Sequence, residues 1–121
     1  MPLAMMITNT TRQTTIANTV GVARWFWQRF MGLMGKPGLP EGHGLWIMRC
    51  SQIHSCFMRF PFDALFIDKH NTIVGLVENM PAWRLSSWFR GAAGVLELPA
   101  GTIAKSRTVV GDVVSCMPPL P

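Results

Sequence analysis

The chain has 121 residues, of which 49% are hydrophobic and 14% charged, with 11 basic and 6 acidic side chains giving a net charge of +5. That balance excludes a disordered chain, and the length suits one domain that can bury roughly two-thirds of its unfolded surface without disulfides or metal. The basic residues run singly from Arg12 to Arg107 with no cluster, so no stretch of sequence marks a nucleic-acid-binding face. The sparse charge leaves apolar surface for a partner, a membrane or a second copy.

Residues 1–7 are apolar but shorter than a signal-peptide core, and no basic segment precedes them. No run approaches the 18 apolar residues of a membrane span, and the cytoplasm is the expected location. Three cysteines, Cys50, Cys56 and Cys116, are an odd number and do not form a disulfide framework. A strand is expected to begin at 14–16. Asn18 or Thr19 is placed to cap a helix over 22–34, with Val22, Phe26, Phe30 and Leu33 on its core-facing stripe and Gly35 and Pro37 ending it. Trp25, Trp27 and Met31 lie off that stripe. A helix lying on a membrane surface would use them at headgroup level, but burial between sheet and loop is the simpler expectation for so short a helix.

After the Gly/Pro loop 35–44, strand-like segments follow at 45–48, 53–60, 64–68 and 72–77. The last two are broken by Lys69-His70-Asn71 and predict an antiparallel hairpin. Residues 79–91 read as an aromatic-rich connection or irregular strand. Residues 93–98 predict a strand ended by Pro99 and Gly101, Thr102 is placed to cap one helical turn through Lys105, and 109–114 predict a final interrupted strand. The expected class is mainly β (α+β): a compact antiparallel β-barrel or sandwich-like single domain over 1–121, ordered from about 14 to 115, with one N-terminal helix and a short helical turn near the C-terminus.

Four separated phrases, GLMGKPGLPEGHGLWI at 32–47, IHSCFMRFPFDALFID at 53–68, VLELPAG at 95–101 and VGDVV at 110–114, resemble in order and spacing the family called domain of unknown function 192. The likeness spans about residues 15–115. It implies a small β-rich domain, barrel-like or sandwich-like, with a helix near the N-terminus. It implies no activity.

Three chemistries compete in the sequence. On a continuous strand Cys50, His54, Cys56 and Met58 would share a face, and two thiols and an imidazole would suit Cu(I) or zinc. However, the spacing lacks the paired short intervals of a zinc site, and core burial is the plainer account. Asp63 lies in an apolar strand with Arg59 nearby and Glu97 on another strand. Two carboxylates in one cleft, with His54 as a further candidate, would permit hydrolase-like acid–base work, whereas a lone Asp there would accept backbone N–H bonds. Finally, Trp83, Trp88 and Phe89 with Arg84 and Arg90 suit a sugar, an anionic polymer or a protein partner. No nucleophile elbow, phosphate loop or dinucleotide fingerprint is present, and no cofactor is expected. The sequence therefore favours a non-catalytic binding or accessory domain, with Met58, Arg59, Trp83 and Trp88 as the candidate ligand-binding residues. Its partner would be a small molecule, a polymer or a protein.

Overall fold

The first strand keeps a two-residue period: β1 (Leu3–Asn9) buries Met5, Ile7 and Asn9 while Ala4 and Met6 face solvent. The computed structural model describes residues 3–24 and 32–121. β1 is followed by β2 (Thr14–Ala23), β3 (His43–Met48), β4 (Phe62–Asp68), β5 (Ile73–Met80), β6 (Ala92–Pro99), the five-residue helix α1 (Thr102–Ser106) and β7 (Val114–Met117). All seven strands belong to one sheet in the order β5-β4-β6-β3-β2-β1-β7. β2 and β3 run parallel and the other neighbours antiparallel, so the sheet is mixed rather than wholly antiparallel.

β4 is buried from Phe62 through Ile67, and apart from Asp63 these residues are the apolar run expected of a strand covered on both faces. Met5, Ile7, Val20, Trp46, Leu65, Ile67, Leu96 and Leu98 form one core with Ile103 of α1. Leu33, Ile47, Ile53, Met58, Phe62, Ala64, Phe66 and Val95 form the other. The second core is roofed by loop residues. The hydrogen bond from Asn9 Nδ2 to Asp112 Oδ2 (3.0 Å) ties the end of β1 to the turn before β7.

The sheet is not closed into a barrel. Its edges touch at an isolated Thr72–Val113 bridge, where Ile73 N–H donates to Asp112 O (2.8 Å) and Val114 N–H to Asn71 O (2.9 Å), but no ladder forms. The predicted helix over 22–34 is not shown. Val22 is in β2, residues 32–35 form a turn, and 25–31, with Trp25, Phe26, Trp27, Phe30 and Met31, lie outside the described residues. Asn18 and Thr19 are strand residues rather than caps. The predicted strand 53–60 is a loop with one bridge at His54, because Phe57 takes a left-handed conformation (φ 63°) that breaks the extended chain. The predicted strand 109–114 turns instead at 110–111 and β7 begins at Val114. The hairpin at 64–77 and the strands at 45–48 and 93–98 are present.

Candidate binding surface

Two loops, 49–61 after β3 and 81–91 after β5, lie against each other in antiparallel register. His54 bridges Leu85. Ser55 N–H donates to Arg84 O (2.9 Å), Trp83 N–H to Ser55 O (3.0 Å), Ser86 N–H to Ile53 O (2.9 Å) and Phe89 N–H to Ser51 O (2.8 Å). Two buried serines complete the seam. Ser55 Oγ donates to Pro81 O (2.6 Å) and accepts from Arg84 N–H (2.8 Å), and Ser86 Oγ accepts from Ile53 N–H (3.0 Å). The pair is pinned to the sheet by Phe89, whose ring lies 4.3 Å from that of Phe66 and covers Gly75, the partner of Phe66 on β5. A Cβ on residue 75 would stand 2.0 Å from Phe89 Cδ1. Gly75→Ala should therefore displace the ring and destabilise the domain by about 1–3 kcal/mol. Denaturant midpoints, with near-UV circular dichroism for the aromatic packing, would measure this.

This seam leaves large apolar side chains in solvent. Phe57, Trp83, Leu85 and Trp88 are each between 60% and 69% exposed. Phe57 and Trp83 meet edge to face, with centroids 4.7 Å apart and planes at 62°. Both sit at φ 63°, a conformation that bulky residues hold only where surrounding bonds impose it. Arg59, Arg84 and Arg90 are exposed in the same loops, and neither loop contains an Asp or Glu.

The other sequence candidates do not converge. Asp63 is buried beside Leu98 and Glu97 beside Ala64. Residues paired across an antiparallel ladder share a face and successive residues alternate, so the two carboxylates project to opposite faces of the sheet. Asp63 is saturated: Oδ1 accepts from Asn79 N–H (2.8 Å), and Oδ2 from Gly101 N–H (3.1 Å) and Ile103 N–H (2.8 Å). It caps α1, the part expected of Thr102. Glu97 lies against Gly32, and its Oε1 has no hydrogen-bond partner among the described residues. Burial pushes its pKa up to about 8.

Cys50 Sγ donates to Gln52 O (3.0 Å), and His54 Nδ1 accepts from Cys56 N–H (3.2 Å). Among the described residues no three His, Cys, Asp or Glu side chains group closely enough to hold a metal ion. The alternation that would have aligned Cys50, His54, Cys56 and Met58 fails because the segment is not a strand, and Met58 is buried in the second core. Cys116 is also buried, which raises its thiol pKa to about 11. Sequence reasoning missed Phe57, Leu85 and the seam serines. Only the wealth of small polar residues around the aromatics hinted at a loop. A groove of about 710 Å³ with mixed lining runs elsewhere, past Thr15, Ile16, Asn18, Glu41, Pro99 and Lys105. The ion pair with Lys105 lowers the Glu41 pKa.

The fold has solved relatives. A protein of Sinorhizobium meliloti 1021, described provisionally as a transcription regulator, superposes with a TM-score of 0.82 at 26% identity, covering 93% of this chain and 92% of that one. A protein of unknown function from Novosphingobium aromaticivorans superposes with a TM-score of 0.79 at 18% identity over 94% and 84% of the two chains. In sequence, a UPF0127 protein of Thermococcus sibiricus is 30% identical over 115 residues, 90% of this chain and 73% of that protein. The family model described as "Uncharacterized ACR" matches residues 6–116, and the chain accordingly belongs to that family, domain of unknown function 192.

Proposed function

We propose that the protein is a non-catalytic binding or accessory domain whose contact surface is the paired loops 49–61 and 81–91. The observation that carries this reading is the solvent exposure of Phe57, Trp83, Leu85 and Trp88 on two loops that hold each other through backbone hydrogen bonds. A monomeric surface rarely displays so many large apolar groups in two adjoining loops without a use for them. Trp and Arg are also the side chains that dominate binding energy at interfaces. Holding the aromatics in place beforehand removes much of the ordering entropy that a ligand would otherwise oppose. Met58 then supports the surface from beneath, Arg59 and Arg84 flank it, and Asp63 is structural.

The test compares the parent with Trp83→Ala and Trp88→Ala against a panel of probes: a neutral oligosaccharide, an acidic peptide, single-stranded DNA and phospholipid vesicles. DNA is included because the Sinorhizobium meliloti neighbour carries a regulator's description. Binding of at least one probe, weakened about tenfold or more by either substitution, is the expected result. If the parent binds none of them, or binds with the same affinity in both variants, the loops are not its contact surface. Because Trp88 is exposed, Trp88→Ala should shift stability by no more than about 0.5 kcal/mol, which a thermal melt checks and which separates lost binding from lost folding.

A further inference from the structure

On the reading of the loop pair as a contact surface, we infer that its occupant is the interfacial region of a membrane carrying anionic lipid. The side chains fit that medium better than they fit a stack of bases or sugars. Leu85 has no π face, and the planes of Phe57 and Trp83 stand 62° apart, so the patch offers no run of parallel ring faces for successive bases. Trp, Phe and Leu are instead the side chains that settle at the boundary of headgroups and acyl chains.

The backbone flanking the apolar tips fits as well. A loop that enters a region of low polarity must satisfy its N–H and C=O groups internally. Here the N–H groups of Ser55, Trp83, Arg84, Ser86 and Phe89, and the carbonyls of Ile53, Ser55 and Arg84, all find partners across the seam. Arg59, Arg84 and Arg90 are exposed, each within two residues of an exposed apolar side chain, with no acidic residue in either loop. Their guanidinium groups complement lipid phosphates in bidentate fashion. The whole chain adds attraction with its charge of +5. A domain of this kind docks through shallow insertion of two rigid loops and needs no spanning helix; indeed, among the described residues none is long and apolar enough to cross a membrane.

The experiment is vesicle co-sedimentation of the full chain with phosphatidylcholine alone and with equal parts of phosphatidylcholine and phosphatidylglycerol. It uses the parent, Trp88→Ala and the double variant Arg84→Ala/Arg90→Ala, with an acidic peptide and single-stranded DNA run in parallel. The parent should partition to the mixed vesicles at least about tenfold more strongly than to phosphatidylcholine, and less strongly as salt is raised. Loss of both arginines should weaken it about thirty-fold, and loss of Trp88 about tenfold. Equal binding to both vesicle types, or vesicle binding unchanged in the variants, overturns the inference. No vesicle binding together with Trp88-dependent binding of the peptide or DNA also overturns it, while leaving the loop pair as the contact surface.

Discussion

Asp63→Asn is expected to destabilise the domain by about 3–5 kcal/mol, out of the roughly 5–15 kcal/mol that holds a domain of this size together. Asp63 is 1% exposed, and its two oxygens take three backbone N–H groups from two other elements, Asn79 at the end of β5 and Gly101 and Ile103 at the start of α1. An amide retains a single acceptor. If the carbonyl oxygen replaces Oδ2, the new NH₂ faces the Asn79 donor; if it replaces Oδ1, the NH₂ faces two donors. Either way a buried donor points at a donor, and each N–H left without a partner costs about 1–3 kcal/mol. The lost bonds are moreover charge-assisted, the stronger kind. The damage should be local as well as global. Amide hydrogen exchange at Ile103 and Gly101 should accelerate more than exchange within β3, because α1 is only five residues long and its N-cap residue, Gly101, supplies no side-chain cap of its own. Urea denaturation with amide exchange measures both effects. A loss below about 1 kcal/mol would mean that the three bonds are dispensable, and would reopen the question of what a buried Asp does there.

The same residue marks where sequence reading succeeds and where it stops. That Asp63 needs partners in an apolar strand was legible, and so was the hairpin after it, since 64–68 and 72–77 are apolar and the break between them is polar. In the structure the Asp68 carboxylate accepts from the N–H groups of His70 and Thr72 to make that turn. The face on which Asp63 lies was not legible. It depends on the pairing of Asp63 with Leu98, and a shift by one residue would have put it beside Glu97. β2 was misread for a related reason. Asn18 and Thr19 look like caps for a helix from residue 22, yet β1 on one side and β3 on the other pair with this segment, and that pairing overrides local preference. At 53–60 the error ran the other way. β-forming residues suggested a strand, but Ser55 uses its hydroxyl and backbone to bind the 81–91 loop, and Phe57 turns the chain out. Trp83 and Trp88 stood out as candidates from composition alone. Their exposure follows from Phe89 being the residue that docks on Gly75, which the spacing of aromatics does not reveal.

Glu97→Gln should remove a fall in stability with rising pH that the parent shows, so that the order of stability of the two proteins reverses across the range. The Glu97 side chain is 3% exposed, with Oε1 unpartnered among the described residues, and burial raises its pKa from 4.5 to about 8. Below the lower value the carboxyl is protonated in both folded and unfolded chains and contributes no pH dependence. Between the two values the unfolded chain releases the proton and the folded chain keeps it, so the folded state binds more protons and stability falls as pH rises. Above about 8 both forms are ionised and the loss levels off. At roughly 1.4 kcal/mol per pH unit, the interval from 4.5 to about 8 bounds the loss at about 5 kcal/mol. Gln cannot ionise, and the variant avoids this slope. Its amide brings two N–H donors where the protonated carboxyl has one O–H, and a further buried donor without a partner costs about 1–3 kcal/mol. The variant should therefore be the less stable protein near the lower end of the interval and the more stable one at its upper end, with the two curves crossing between. Denaturant unfolding of both proteins across that range, taken as a difference so that the other titrating groups cancel, tests this. Parallel curves would show that Glu97 ionises at its ordinary value, and hence that its carboxylate finds a partner in the folded protein.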